Sequence, residues 1–360
     1  MSTLSRLEPV RGVWTEDLVD ADVHAVVPGI DALLPYLEPV WREYITERAF
    51  DAPMDYMVYP QKAPSSVREE WRPIDGTVAA SRLEQLAGDV LDADAPSIAI
   101  LNCCYGVDQG HPDFVIALAR AVNDWLIAEW LDRDPRLRAS IVVPGRTVDA
   151  MVDEIRRVGD HPGFVQVLLP IRSGRLYGTR FWHPLFMELA SRGLVAGLHR
   201  GGTNDAAPPT PSGWPSWYIE EYVADQQVYE SQIASIIGGG VLEAAPGIRF
   251  AVLEGGFNWV AAWGWRLDKD WKGMRREVPW VHAPPLELIR EHFRFTTAPM
   301  DPGPRGMMEE IIEWLGPELL MYASDYPHCH DLDVELLLSC VPPPQRAGVM
   351  ANTARSWYRL

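Results

Sequence analysis

The 360-residue sequence predicts an α/β fold, a (β/α)8 TIM barrel with insertions after strands 1 and 5, and three observations carry that expectation. Short β-branched apolar runs recur along the chain, longer helical patterns separate them, and several runs end in an ionisable residue. Near-continuous apolar strands are expected where both faces of a parallel sheet are covered. In a parallel barrel the carboxyl ends of all strands meet on one face, so groups distant in sequence converge there. A doubly wound open sheet fits the same alternation less well.

The runs are Leu18–His24, Ser97–Cys103, Ala139–Pro144, Phe164–Pro170, Leu194–His199, Ile248–Glu254, His292–Thr297 and Leu319–Asp325. Helices are expected over Pro112–Leu131, Thr147–Val158, Pro184–Arg192, Tyr218–Ile237, Asn258–Trp271 and Arg305–Leu315. Pro112 and Pro184 stand where a first helical turn tolerates proline. Two segments interrupt the alternation. Residues 31–95, rich in Pro, Trp and Tyr, follow the first strand, and residues 200–217 form a Gly/Pro-stiffened loop after the fifth. Neither reads as a separate domain, so residues 1–360 are expected to form one elaborated barrel; such barrels commonly use about 250 residues plus insertions. Residues 103–110 read as a strand-two loop over the site, without a phosphate-cradle pattern.

The formal charge of −18 argues against nucleic acid and against anionic membranes as partners. A small anionic substrate stays compatible, because a bound cation reverses the field locally. The four cysteines, Cys103, Cys104, Cys329 and Cys340, form no CxxC pair and are expected as reduced thiols. The first thirty residues contain no continuous apolar stretch, so no cleaved leader is expected. No run approaches the roughly 20 apolar residues that span a bilayer. The expectation is a cytoplasmic protein.

Strand one ends Asp20-Ala21-Asp22-Val23-His24, strand five in His199, strand six in Glu254 and strand eight in Asp325. Alternation of side chains along a strand puts Asp22 and His24 on one face, with Asp20 a step deeper. A single strand-end histidine is ordinarily a hydrogen-bonded structural residue. Two imidazoles and two carboxylates converging from three strands make a mixed N/O set suited to one divalent ion, Zn2+ first, with Mn2+ or Fe2+ as alternatives.

The combination VDADVH, GLHRGG, VLEGGFNW and ASDYPH resembles the amidohydrolase-related family typified by aminocarboxymuconate semialdehyde decarboxylase. The likeness extends through Asn123-Asp124-Trp125, HPLFMELASRGLVAGLH and WRLDKDW, and SDYPH is its most specific piece. It implies Asp22, His24, His199 and Asp325 as metal ligands, with Asp325 also handling a proton. Asp22 stands where relatives carry a longer Glu or a His. Gln166, Leu168 and Leu169 occupy strand four, and the absence of a bridging Lys there implies a single ion. The family's decarboxylases end strand six in His; here the residue is Glu254, open to roles as general base, extra ligand or orienting partner of His199 or Arg200. His328 of SDYPH either bonds the site or substrate or shapes a turn. His330 has no counterpart and is not assigned. Arg172, Trp182 and Trp259 are placed at the pocket wall as substrate contacts, although an exposed loop Arg is the ordinary case. Arg266 and Asp268 are expected to tie a helix to its neighbour.

Two reactions fit. The first is hydrolysis of a small organic acid, amide or lactone by metal-activated water, with Glu254 or Asp325 as base. The alternative is non-oxidative decarboxylation of an aromatic or unsaturated acid. The carboxylate-x-His of strand one favours decarboxylation and the missing strand-six His favours hydrolysis. The expected partner is a small-molecule substrate, and the resemblance implies a homodimer.

Overall fold

The computed structural model describes residues 10–50, 67–103, 107–108, 110–203, 205–301, 303–330 and 333–360. Cys104, part of the expected loop over the site, residues 51–66 of the first insertion and Asn204 of the second lie outside the described residues.

Eight parallel strands follow one another in chain order: β1 (Val19–His24), β2 (Ile98–Asn102), β3 (Leu137–Ile141), β4 (Phe164–Arg172), β5 (Val195–Gly202), β6 (Arg249–Leu253), β7 (Phe293–Thr296) and β8 (Leu320–Met321). The sheet curls back on itself. The Ala21 N–H donates to the Tyr322 carbonyl (3.0 Å), the Asp325 N–H to the Asp22 carbonyl (3.0 Å) and the His24 N–H to the Tyr326 carbonyl (2.8 Å). All eight expected strands are present, and the expected helices appear with small shifts at their ends. Strand eight is shorter than its apolar run. Beyond Met321 the backbone turns to β1 and to the Val349 carbonyl for its bonds, and Asp325 adopts a left-handed φ of 55°. Strand four runs past Pro170, where the pairing with β5 shifts register between Pro170 and Arg172, as expected where a proline removes a ladder donor.

Two apolar layers hold the barrel. Between strands and helices lies a large cluster that includes Val23, Ala99, Leu101, Phe186, Phe250 and Phe293. Inside the barrel, Val19, Ala21, Ile98, Ile100, Leu168, Leu253 and Met321 pack on Trp357 and Tyr358 of the C-terminal helix Thr353–Tyr358. That helix plugs the end of the barrel opposite the strand termini that carry the charged residues. Asp268 behaves as expected: its Oδ1 accepts the Leu286 N–H (2.9 Å), tying helix Trp259–Met274 to Pro285–His292. Among the described residues no helix is long and apolar enough to cross a membrane.

Strand one departs from simple alternation. Its register against β2 slips between Asp20 and Val23, so three steps on β1 match two on β2. Val19 and Ala21 face the inner layer, whereas Asp20 is paired with the outward Ala99. The bulge then returns Asp22 and His24 to the interior. Asp20 therefore does not share their face, as strict alternation would require. It is buried, its carboxyl pushed up to about 7 by that burial, and its Oδ1 accepts the Ser324 N–H at 3.0 Å and the Asp22 N–H at 3.3 Å.

Phe250 and Phe293 stack at 4.7 Å and 14° in the outer core. Phe250→Ala is expected to cost ~3–5 kcal/mol of stability by urea unfolding, because buried aromatic truncation leaves a cavity. A loss below 1 kcal/mol would show that this layer collapses freely.

Candidate metal centre

Asp22 and His24 from β1, His199 from β5 and Asp325 after β8 are all buried. Each offers one donor atom, and these atoms lie within 4.8 Å of one another. His24 Nε2 stands 2.8 Å from Asp325 Oδ1 and 3.9 Å from Asp22 Oδ1. The His199 Nδ1–H donates to the Arg200 carbonyl (2.8 Å), which orients the ring and turns Nε2 towards Asp22 Oδ2 at 3.6 Å and Glu254 Oε2 at 4.0 Å.

That arrangement tests the fit of a cation. An imidazole nitrogen and two carboxylate oxygens turned towards one another call for positive charge between them. Asp22 Oδ2 is buried with no hydrogen-bond partner, while Oδ1 accepts the Asn102 Nδ2–H at 2.7 Å. A buried, unpartnered carboxylate oxygen is expensive. A divalent ion relieves both defects, and two nitrogens with two oxygens suit Zn2+, Mn2+ or Fe2+.

A second group adjoins the first. Glu254, Asp325, His328 and His330 also bring donor atoms within 4.8 Å of one another. Asp325 turns Oδ1 towards His24 and Oδ2 towards His330 Nε2 (2.5 Å) and His328 Nδ1 (3.1 Å). His330 Nε2 lies 3.4 Å from Glu254 Oε1, and its Nδ1 meets the Tyr222 hydroxyl at 3.0 Å. Burial would lower the His330 pKa, yet Asp325 and Glu254 outweigh it and push it up to about 10. Burial and the charge of Asp325 would raise Glu254; contacts with His330 and Arg200 bring it below the ordinary range instead. Asp325 is likewise raised by burial but carried well below its usual value by His328, His330 and His24. Glu254 and Asp325 both hold left-handed φ values, 50° and 55°, a conformation that costs a non-glycine residue and clusters at functional sites.

Sequence reasoning left His330 unassigned although it follows His328 by two residues. Its useful signal was position: it trails the last strand, where the chain must cross the barrel mouth. Arg200 was placed only as a neighbour of Glu254. It is buried between Tyr222 and Tyr218, 4.2 Å and 5.3 Å from the ring centroids. Its Nε donates to Asp225 Oδ2 (2.7 Å), and Nη1 lies 3.6 Å from Glu254 Oε1.

The residues expected at the pocket wall contact the scaffold. Arg172 is a buried partner of Glu221 (2.8 Å), where the sequence allowed an exposed loop residue. The Trp182 indole N–H donates to the Arg175 carbonyl (3.3 Å) and its ring packs on Tyr177. The Trp259 N–H donates to the Gly255 carbonyl (2.9 Å), and the ring meets Trp263.

In the metal-free protein, stability from protonated His330 is full below pH 6.5 and is lost as the pH rises through about 10. Glu254 and Asp325, both lowered, act oppositely: their stabilisation is present above the ordinary carboxylate range and is lost in acid. The melting temperature of chelator-treated protein should therefore fall between pH 6.5 and 10, and His330→Gln should flatten that fall. An equally steep fall in the variant would assign it to another group.

Residues 19–360 match the family described as Amidohydrolase. A gamma-resorcylate decarboxylase from Rhodococcus jostii (strain RHA1) is 24% identical over 230 residues, covering 59% of this chain and 67% of that protein. An amidohydrolase from Mycobacterium avium subsp. paratuberculosis K-10 superposes with a TM-score of 0.71 at 17% identity, over 96% of this chain and 98% of its own. A dihydroxybenzoic acid decarboxylase from Polaromonas sp. JS666, solved with manganese and 2-nitroresorcinol, gives 0.68 at 16% identity over 96% and 97%.

Proposed function

The chain belongs to the amidohydrolase family, and from that premise we propose that it catalyses metal-dependent, non-oxidative decarboxylation of a small aromatic hydroxy acid. The single observation that carries this reading is the His330 imidazole held 2.5 Å from Asp325 Oδ2 beside the donor set. Decarboxylation needs a proton delivered to carbon, and this group stores one. Hydrolysis needs a base, and Glu254 makes a weak one, because His330 and Arg200 hold it below the ordinary range. The decarboxylases among its relatives support the same choice. Hydrolysis, the leading expectation from the sequence, therefore gives way to decarboxylation.

Asp22, His24, His199 and Asp325 would hold a divalent ion (Mn2+ or Zn2+ suits the donors), which would supply Lewis acidity towards the substrate. The chain's own residues do the rest. Glu254, ionised at 3.4 Å, keeps His330 protonated. The His330 proton, held against Asp325 Oδ2, is delivered to the ring carbon that bears the carboxylate. The C–C bond to the carboxylate breaks and CO2 leaves, while the electron pair of that bond forms the new C–H bond. The buried Arg172–Glu221 pair stiffens the rim. Because Arg172 is already engaged with the buried Glu221, we place it there as a wall rather than as a charge clamp.

Hydrolysis retains one supporting observation, Glu254 Oε2 at 4.0 Å from His199 Nε2, close enough for a base beside the donors.

With Mn2+ supplied, the protein is expected to release CO2 from members of a hydroxybenzoate panel. Asp22→Ala and Asp325→Ala should lose bound metal in elemental analysis. His330→Gln should keep the metal and lower kcat by about 10²-fold or more, as expected for loss of a proton donor. Turnover of lactones or amides with no CO2 from any acid would return the assignment to hydrolysis.

A further inference from the structure

A line of buried hydrogen bonds leads from Asp22 across the barrel interior to the helix that plugs its far end. Asp22 Oδ1 accepts from Asn102 Nδ2 (2.7 Å). Asn102 Oδ1 accepts from Ser140 Oγ (2.5 Å) and Gln166 Nε2 (3.0 Å), and Gln166 Nε2 also donates to Ser140 Oγ (2.7 Å). Gln166 Oε1 accepts from the Tyr358 hydroxyl (3.0 Å). Asp22, Asn102, Ser140 and Gln166 are fully buried and Tyr358 nearly so. No solvent is at hand to repair a wrong orientation.

An amide has a donor end and an acceptor end, so this line has a direction. An ionised Asp22 can only accept, which obliges Asn102 to present its NH2 group. The Asn102 oxygen then faces Ser140 and Gln166, obliging Gln166 to present its own NH2. The Gln166 oxygen consequently faces Tyr358, whose hydroxyl donates. Every group along the path finds its partner only if all are turned the same way. Strand five leaves room for this arrangement: a Cβ at Gly197 would lie 2.5 Å from the Gln166 amide carbon.

We propose that Gln166 and Tyr358 are positioning residues that act through Asn102 to orient Asp22 as a metal ligand. Asp22 hangs on a single methylene. Anchoring Oδ1 from the interior sets where the unpartnered Oδ2 points, towards His199 Nε2 at 3.6 Å. A side chain of the plug helix thereby reaches a ligand of strand one across four strands. This inference rests on the metal-site reading above, with Asp22 among the ligands.

The test uses the full chain, Mn2+ binding by calorimetric titration and the visible spectrum of the Co2+ form. In Gln166→Glu the carboxylate has no N–H for Asn102, whose amide turns and presents oxygen to Asp22. Mn2+ affinity should fall about 10–100-fold, the usual effect of losing the partner that orients a ligand, and the Co2+ bands should shift. Tyr358→Phe removes one hydrogen bond without changing shape and should weaken Mn2+ about two- to tenfold, again with altered Co2+ bands. If Gln166→Glu does not fold, Tyr358→Phe decides. Folded variants with unaltered Mn2+ affinity and Co2+ spectrum would overturn the relay while leaving the metal centre intact. An unsubstituted protein that binds neither ion would sink the metal-site reading and the relay together.

Discussion

The hydrogen bond from the Asp325 N–H to the Asp22 carbonyl, 3.0 Å long, joins the last strand's extension to the first. Barrel closure and site assembly are thus one event. The same seam sets His24 against Asp325, a pair separated by 301 residues in sequence. Because closure crowds Asp22, Glu254 and Asp325 into space without solvent, their charge must be answered locally. Arg200 and His330 answer part of it, and the facing Asp22 and His199 atoms leave the remainder to a cation. The strain at Glu254 and Asp325 belongs to the same constraint, since only an over-determined backbone holds two left-handed carboxylate residues side by side.

Much of this was legible in the sequence. β-branched runs locate every strand, because a parallel strand buried on both faces must be apolar throughout. Asp22, His24, His199 and Asp325 stand at strand ends, where topology alone brings them together. What escaped was local. Alternation put Asp20 beside Asp22, but a bulge, set by pairing with β2 and by the seam with the strand-eight extension, turned it outward. Asn102, Ser140 and Gln166 are ordinary polar residues within apolar strands, and nothing in their spacing shows that they share one line of bonds. His330 lay beyond any motif, and its place depends on how the chain crosses the barrel mouth. At Arg172 a guanidinium at a strand end suggested a substrate anion, and the sequence held no sign of the pair it makes with Glu221.

The organisation of charge explains why the strand-six carboxylate does not behave as a free base. Glu254 touches two cationic groups, Arg200 and His330, and each has a second carboxylate partner, Asp225 or Asp325. These groups form one connected set, which continues through Asp325 to His24 and His328. Proton affinity in such a set belongs to the group, not to its members.

The pairing of Glu254 with His330 has a consequence for ancestry. A histidine at the end of strand six would remove one of the two anions that face the His330 imidazole, leaving Asp325, and bring two imidazoles together in its place. Exchanging either residue alone shifts the charge balance of a buried group, so the two positions are expected to change together along a lineage. In homologous sequences they are best treated as one inherited character. A glutamate at position 254 without its histidine partner would mark a protein whose proton must come from elsewhere.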